Sequence, residues 1–250
     1  MQSKNVTIDR ILNAINQEEF QAYIQPIVHA SDLTVSGGEL LVRWHSSTGK
    51  VIPPSCFIGL VESAGLLPLM TKNILRQAAI GLSDMVHMLS QDFRLAVNVT
   101  PALLADRGFV QMCLRMAGES SMHLVLELTE SHPFSLDRQT EQVMSELIEV
   151  GVEFALDDFG TGYSTLSYLK YFPVSYIKID KVFINNIQQE EKSCHIIDCI
   201  VSLAGKIGCR TVAEGVETLE QFNCLFKLGI DYFQGYFFGK PKQITKNYSS

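Results

Sequence analysis

Several features are missing from this 250-residue sequence, and each absence argues against a class of protein. No run of about 18 apolar residues is present, so no segment is predicted to span a membrane. The first five residues are not followed by an apolar segment of the kind found in signal peptides. The six cysteines include no CxxC pair. They are therefore interpreted as reduced thiols, not as disulfides or zinc ligands, which predicts a cytoplasmic location.

The net charge and the absence of low-complexity sequence argue against further classes of protein. The formal net charge is −7, which argues against broad neutralisation of nucleic-acid phosphates, so no DNA or RNA polymer is expected as a partner. No linker, low-complexity tract, long charge run or close repeat interrupts the chain. With 46% hydrophobic residues, the length suits two small domains or one barrel-sized domain. The regular pattern described next favours a single domain over residues 1–250.

Short β-rich runs alternate with longer helical patterns along the chain. The first two predicted strands are separated by only six residues, which is too few for a helical crossover, so they should be antiparallel neighbours. The later strands follow a βα rhythm, which predicts a TIM-like (β/α)8 barrel with one antiparallel strand near the N-terminus. The predicted strands are Phe20–Val28, Val35–Trp44, Phe93–Val99, Leu124–Leu128, Phe154–Asp157, Val174–Ile179, Arg210–Ala213 and Tyr232–Phe237. The predicted helices are Thr7–Asn16, Pro54–Ala64, Pro68–Leu89, short helices between Pro101 and Met116, Asp137–Val150, Ser164–Leu169, Glu191–Ile207 and Leu219–Leu228.

Polar residues recur towards the ends of these strands, where a barrel places its chemistry. A single buried charge in a strand is usually a paired structural charge, but seven successive strands with a polar group favour a functional site. Strand alternation places Glu39, Leu41 and Arg43 on one face, and it separates Tyr176, Lys178 and Asp180 from their neighbours. The polar residues near strand ends are Glu39, Asn98, Glu127, Asp157 with Asp158, Lys178, Glu214 and Gln234.

The donor types in this set indicate the chemistry. Carboxylates and one Asn amide, without His or Cys, are hard oxygen ligands that suit Mg²⁺ or Mn²⁺. Asp157 and Asp158 could flank two ions in the arrangement used for in-line attack on phosphodiesters, although residues 157–164 alone also fit an ordinary Asp- and Gly-rich turn. Lys178 could deprotonate or orient a water, neutralise developing charge, or serve only as a buried salt-bridge partner.

Taken together, these motifs resemble the EAL domain family of cyclic di-GMP-specific phosphodiesterases over about residues 8–242. The resemblance rests on Tyr23-Ile24-Gln25-Pro26, Gly38-Glu39-Leu40-Leu41-Val42-Arg43-Trp44, Asn98-Val99-Thr100, Glu127-Leu128-Thr129-Glu130, Asp157-Asp158-Phe159-Gly160-Thr161-Gly162-Tyr163-Ser164, Ile177-Lys178-Ile179-Asp180, Ala213-Glu214-Gly215-Val216-Glu217 and Gln234-Gly235-Tyr236. It implies a TIM-like barrel with one antiparallel strand. It also implies hydrolysis of cyclic di-GMP to linear 5′-pGpG with two Mg²⁺ or Mn²⁺ ions, and inhibition by Ca²⁺.

The resemblance also implies residue roles. The first ion would be bound by Glu39, Asn98, Glu127 and Asp157, and the second by Asp157, Asp158 and Glu214, with Gln234 close by. Lys178 would contact the attacking water, and Arg43 would clamp a substrate phosphate. Gln25, Leu40, Asp180 and Gln234 complete the predicted substrate-binding set. Glu130 would hold the loop from Asp158 to Ser164, and Glu217 would support the site from behind its ligands.

The sequence departs from the family pattern at one position, and several alternative functions remain open. The family's Glu-Ala-Leu reads Glu39-Leu40-Leu41 here, and because alternation turns Leu40 away from Glu39, activity is expected to survive. The main alternative is a catalytically silent EAL domain that binds cyclic di-GMP or a protein partner, and a barrel enzyme for another phosphoester is a third reading. Homodimers are common in the family, and members usually adjoin sensory or regulatory modules. The chain could thus be a stand-alone enzyme or an excised domain of a longer, membrane-anchored protein.

Overall fold

A closed sheet of mostly parallel strands organises the computed structural model, which describes residues 6–83, 92–119, 122–129, 134, 137–161 and 165–245. The strands in these ranges are β1 (Phe20–His29), β2 (Val35–His45), β3 (Val51–Ile52), β4 (Arg94–Val99), β5 (His123–Thr129), β6 (Glu153–Phe159), β7 (Tyr176–Ile179), β8 (Arg210–Ala213), β9 (Tyr232–Gln234) and β10 (Lys242–Gln243). The helices are α1 (Ile8–Asn16), α2 (Ile58–Ser63), α3 (Leu67–Ser83), α4 (Pro101–Ala105), α5 (Arg107–Glu119), α6 (Arg138–Glu149), α7 (Thr165–Tyr171), α8 (Lys181–Ile184), α9 (Glu191–Ile207) and α10 (Leu219–Lys227), with a 3₁₀ turn at Pro54–Cys56.

Strand β1 closes the barrel. It pairs antiparallel with both β2 and β9, whereas β2 and β4 to β9 pair in parallel around the rest of the ring. The short strands β3 and β10 add to β2 and β1 at their edges. The chain between β1 and β2 is too short for a crossover helix, so the two strands form a hairpin. The predicted eight-stranded barrel with one antiparallel strand is therefore confirmed.

Inward-facing residues form two layers inside the barrel. The layer nearer the N-terminal ends of the parallel strands is apolar and buried: Ile27, Ala96, Val125, Ala155, Tyr176, Val212 and Tyr232. Two residues further along, the same faces carry polar side chains: Asn98, Glu127, Asp157, Lys178, Glu214 and Gln234. Because strand side chains alternate, a spacing of two residues keeps both layers on the inner face. The apolar layer closes the barrel beneath the polar one.

Several element boundaries differ from the predicted ones. The helix predicted over Pro54–Ala64 is divided between the 3₁₀ turn and α2, and that over Pro68–Leu89 is described only to Ser83. Strand β9 ends at Gln234, before the predicted Phe237. Gly235 follows, and its backbone lies so close to Val216 that an added Cβ would stand 2.0 Å from the Val216 oxygen. Only glycine fits that close approach, which explains the residue type at position 235.

Candidate active site

The two adjacent carboxylates at the end of β6 point towards the same region, despite strand alternation. Pairing between β6 and β7 shifts register between Leu156 and Phe159, and Asp158 has a φ of +54°. A positive φ is costly for a non-glycine residue, and such residues concentrate at functional sites. This irregularity places oxygen atoms of Asp157, Asp158 and Glu214 within 4.8 Å of one another. The three carboxylates could therefore share a cation.

Lys178 of β7 lies in the middle of the acidic residues and is almost completely buried. Its Nζ is 2.7 Å from Glu127 Oε1, 3.1 Å from Asp157 Oδ1 and 2.6 Å from Glu214 Oε1. Burial by itself lowers the pKa of Lys178, but the negative charges of Asp157, Glu127 and Glu214 outweigh burial and hold that pKa well above its ordinary value. Lys178 is therefore a cation that neutralises part of the acidic cluster.

The C-terminal ends of the parallel strands, where the polar layer lies, form the mouth of the barrel. Glu39 of β2 connects the two sides of this mouth. Its Oε1 accepts a hydrogen bond from Asn98 Nδ2 at 2.8 Å, and its Oε2 accepts one from Gln234 Nε2 at 2.6 Å. Both amides thus use their NH₂ groups on Glu39, which leaves their carbonyl oxygens for other partners. Gln234 Oε1 and Glu127 Oε2 are buried and have no hydrogen-bond partner among the described residues. Unpaired buried oxygens beside carboxylates are what a site for a hard cation provides.

Burial and mutual repulsion raise the pKa values of three carboxyl groups in the cluster. Burial raises the pKa of Glu127 well above its ordinary value, despite the opposing charge of Lys178. Burial, together with the Asp157 and Glu39 charges, raises the pKa of Glu214 to about 8. Burial and the neighbouring Asp157 and Asp180 raise the pKa of Asp158 to about 6. A bound divalent cation would favour the ionised carboxylates.

The metal prediction fits this arrangement. The cluster supplies oxygen donors from several strands, among them the three carboxylates within one ligand sphere and the two unpaired oxygens. Every predicted ligand lies at the mouth. Asn98 and Gln234 contact Glu39, Glu127 and Asp157 contact Lys178, and Asp158 and Glu214 lie within reach of Asp157.

A pocket of about 240 Å³ opens to solvent beside the acidic residues. Its lining includes two side chains for which the sequence analysis proposed no role, Lys181 and Tyr236, besides two glycines. Tyr236 belongs to the motif Gln234-Gly235-Tyr236, and Lys181 directly follows the motif residue Asp180, so both positions carried a signal in the sequence. The pocket is lined by Gln25, Glu39, Lys181, Glu214, Gly215, Glu217, Gln234, Gly235 and Tyr236.

The remaining predicted residues take different positions. Gln25 lines the pocket and donates a hydrogen bond from Nε2 to the Gly239 oxygen at 3.3 Å. Arg43 lies further out on β2, with its Cζ 5.8 Å from the Tyr23 ring centroid. Asp180 caps α8 by accepting a 2.8 Å hydrogen bond from the Val182 backbone. Its carboxyl also contributes to the raised pKa of Asp158, so Asp180 borders the acidic cluster.

Three further predicted site residues lie in different surroundings. The Leu40 side chain is only 6% exposed and packs in the main hydrophobic core, where it lines a cavity together with Asn98, and its predicted contact with a substrate stays a prediction. Strand alternation turns Leu40 towards α2 and α3, while Glu39 faces the mouth. Glu217 is exposed and lines the pocket. Glu130 lies outside the described residues, as do Gly162, Tyr163 and Ser164 of the predicted loop.

Known proteins resemble this chain over nearly its whole length. The family model described as "EAL domain" matches residues 8–241. The chain is 42% identical over 240 residues to the cyclic di-GMP phosphodiesterase PdeL of Escherichia coli K12, covering 94% of this chain and 66% of PdeL. It is 32% identical over 234 residues to the cyclic di-GMP phosphodiesterase RocR of Pseudomonas aeruginosa PAO1, covering 92% of this chain and 59% of RocR.

Solved structures agree with the fold. The PaMucR phosphodiesterase in complex with c-di-GMP has a TM-score of 0.84 at 32% identity, covering 94% of this chain and 96% of that one. The EAL enzyme Bd1971, in a form with cAMP and cyclic di-GMP bound, has a TM-score of 0.86 at 29% identity, covering 94% and 65%. The chain spans about half to two thirds of the length of curated relatives such as PdeL, PdeG and PdeN. None of the described helices is long and apolar enough to cross a membrane.

Proposed function

Because the chain belongs to the EAL domain family, we propose that it is a metal-dependent phosphodiesterase that hydrolyses cyclic di-GMP to linear 5′-pGpG. The supporting observation is the cluster of Asp157, Asp158 and Glu214 around Lys178, at the end of the barrel where such folds place their chemistry. The relatives' names and the c-di-GMP complex of PaMucR support the choice of substrate. We further propose that residues 1–250 form one domain with its core at about residues 8–242.

Two divalent ions fit the donor set. Glu39, Asn98, Glu127 and Asp157 would hold the first ion, and Asp157, Asp158 and Glu214 the second, with Gln234 beside them. Mg²⁺ or Mn²⁺ bound there would activate water and stabilise charge on the phosphate. In the overall reaction, a water oxygen bonds to phosphorus, the bond from phosphorus to the 3′ oxygen breaks, and that oxygen takes up a proton. We expect Ca²⁺ to inhibit.

Lys178 contributes electrostatic stabilisation in this proposal. Its Nζ is paired with three carboxylates, an arrangement that supports the electrostatic role over the general-base role that the sequence left open. Its ammonium group lies between Glu127, Asp157 and Glu214 and can face the water and the developing negative charge. Arg43 would bind a substrate phosphate, and Gln25 would lie along the substrate in the mouth pocket.

A silent cyclic di-GMP-binding domain remains the alternative function. The predicted metal ligands are all present in the described residues, and Leu40 is turned into the core without displacing Glu39. Both observations favour the enzyme. Glu130 and Glu217 keep their proposed supporting roles, and Asp180 is proposed to act beside Asp158. Homodimerisation, linked sensory domains and a cytoplasmic location stay predictions.

The decisive experiment is incubation with cyclic di-GMP and Mg²⁺ or Mn²⁺, followed by chromatographic detection of 5′-pGpG. We expect Asp157→Asn to abolish turnover, because it removes the carboxylate shared by both proposed ions. Asp198→Asn, a matched change of an exposed carboxylate on α9, should leave turnover unchanged. A wild-type protein that binds cyclic di-GMP without cleaving it would favour the alternative, and full activity in Asp157→Asn would refute the two-ion assignment.

A further inference from the structure

The hairpin of β1 and β2 extends beyond the barrel at its mouth. Strand β2 pairs with β4 only from Gly37 to Leu40, whereas its pairing with β1 continues as far as Trp44 opposite Phe20. The outer half of β2 therefore leaves the ring of parallel strands with β1 alongside it. Side chains on the inner face of this outer half of β2 therefore lie above the acidic cluster.

One face of this hairpin runs from the acidic cluster outwards. Glu39 pairs with Gln25, and both line the mouth pocket. The next pair on the same face is Leu41 with Tyr23, and Arg43 follows, because side chains on one face recur every two residues. Tyr23 and Arg43 are diagonal neighbours across the two strands, a spacing that aromatic and long side chains can bridge.

The Tyr23 ring lies beneath the Arg43 guanidinium. The distance from Arg43 Cζ to the ring centroid is 5.8 Å, which is within the range of a cation–π contact. Arg43 also donates a hydrogen bond from Nη1 to the Val42 oxygen at 2.8 Å. The Tyr23 ring and the Val42 oxygen thus hold the guanidinium in place. Because arginine has five N–H donors, the others can bind an anion.

Tyr23 is itself held in place by His45. The Tyr23 hydroxyl lies 2.9 Å from His45 Nε2, and the two ring centroids are 5.7 Å apart. His45 follows Arg43 by two residues on β2, so it occupies the same face. All three side chains are half-buried, which restricts their motion without closing them off from the mouth.

We propose that Tyr23, held by His45, is a positioning residue that orients Arg43 towards a phosphate of the substrate. This inference rests on the proposed function, because it assigns Arg43 to the cyclic dinucleotide. A long flexible cation loses conformational freedom when it binds a ligand, and a side chain that is already oriented loses less. Tyr23 therefore acts on substrate affinity and leaves the chemical step at the acidic cluster unchanged.

The test compares steady-state kinetics and cyclic di-GMP binding for wild type, Tyr23→Leu, Tyr23→Phe, His45→Gln, Arg43→Ala and the double variant Tyr23→Leu with Arg43→Ala. Tyr23→Leu should raise KM and Kd about fivefold with kcat within about twofold of wild type, because it removes the ring beneath the cation. Tyr23→Phe keeps the ring and should recover most of the affinity, and His45→Gln should resemble it. Once Arg43 is absent, the Tyr23 change should have little further effect on affinity.

Tyr171→Leu is the matched control. Tyr171 is 55% exposed and carries its own cation contact, with Lys170 Nζ 4.8 Å from the ring centroid. It ends α7, and its change should leave KM and Kd unaltered. An unchanged KM and Kd in Tyr23→Leu, or equal effects with and without Arg43, would overturn the positioning role while leaving the proposed function standing. A wild-type protein that neither binds nor cleaves cyclic di-GMP would overturn both.

Discussion

The two ends of the barrel interior are built from the same strands and differ in their charge balance. Near the N-terminal ends, Arg94 Nε lies 3.2 Å from Glu153 Oε2, and the Tyr176 hydroxyl bonds the same carboxylate. The apolar layer lies next to this pair. At the mouth, several carboxylates surround the single ammonium group of Lys178.

The difference separates a structural ion pair from a site that needs additional cations. At the N-terminal end of the barrel (the lower end), Glu153 pairs with Arg94 and Arg210 lies nearby, bonded to the Tyr232 hydroxyl, so the Glu153 carboxylate is neutralised. At the mouth, burial first and then the neighbouring carboxylates raise the pKa values of Glu127, Glu214 and Asp158. Perturbed carboxyl groups in a pocket indicate function more strongly than charge alone. The four predictions below test this contrast, beginning with the largest expected effect.

Lys178→Met should abolish turnover and, in metal-free protein, lower the free energy of unfolding by about 3 kcal/mol or more, because buried carboxylates lose their counter-charge. Urea unfolding with and without Mn²⁺ measures the effect, and Mn²⁺ should restore part of the stability by binding the native state. Lys72→Met is the control, since Lys72 pairs with Asp106 at the surface and each side chain is about one third exposed. Its cost should stay below about 1 kcal/mol. Equal losses in the two variants would contradict the contrast.

Metal affinity should rise steeply with pH, by up to about tenfold per unit for each proton displaced. Glu214, with a pKa of about 8, and Asp158, with a pKa of about 6, must lose protons to bind a cation, so affinity increases between pH 6 and pH 8. The same raised pKa values predict that the contribution of Glu214 and Asp158 to metal-free stability is fully present below about pH 4 and is lost as pH rises through 8. Calorimetry in buffers of different ionisation enthalpy would detect the released protons. A pH-independent affinity would show that these carboxyl groups are not ligands.

Leu40→Ala should lower the free energy of unfolding by about 2 kcal/mol and leave kcat and KM within about twofold of wild type. Its side chain packs outside the barrel against α2 and α3, so the loss is one of packing. Thermal unfolding and the cyclic di-GMP assay measure the two effects separately. A several-fold higher turnover would show instead that Leu40 affects the site.

Glu153→Gln should cost about 1 kcal/mol of stability, since Glu153 is only partly buried in its pair with Arg94, and turnover should not change. Glu127→Gln makes the same chemical change at the other end of the barrel and should abolish turnover. Because both variants carry the same Glu-to-Gln change, any difference between them comes from their location in the barrel. Urea unfolding measures the stability of each variant, and the cyclic di-GMP assay measures its turnover. Loss of turnover in Glu153→Gln would mean that the lower end is not purely structural.

Much of the fold and of the candidate site follows from short-range patterns. Alternation identified the strands, and the short connection between β1 and β2 was enough to predict an antiparallel pair. Polar residues at strand ends identified Asn98, Glu127 and Asp157, because parallel strands in a barrel bring their C-terminal ends together. The family motifs then supplied the proposed roles.

Other features depend on residues distant in sequence. Alternation predicts that Asp157 and Asp158 face opposite ways, and only the register shift against β7 brings both to the mouth. The contact between Glu39 and Gln234 joins residues 195 positions apart, and the stacking of Arg43 on Tyr23 depends on cross-strand register. The sequence did not predict that Lys181 lines the pocket, because its position depends on the packing of its side chain over Gly215. A Cβ added at Gly215 would stand only 2.5 Å from Lys181 Cβ.

The amino-acid sequence by itself determined which residues face inwards and in what order along each strand, because the period of two is a local property of the extended chain. Only the tertiary structure decided the charge balance at each end of the barrel. A carboxylate's pKa depends on its burial and on every charge around it, and those neighbours come from strands far apart in the sequence. At the lower end Glu153 is neutralised by its pair with Arg94. At the mouth, Lys178 is surrounded by more carboxylates than one ammonium group can neutralise.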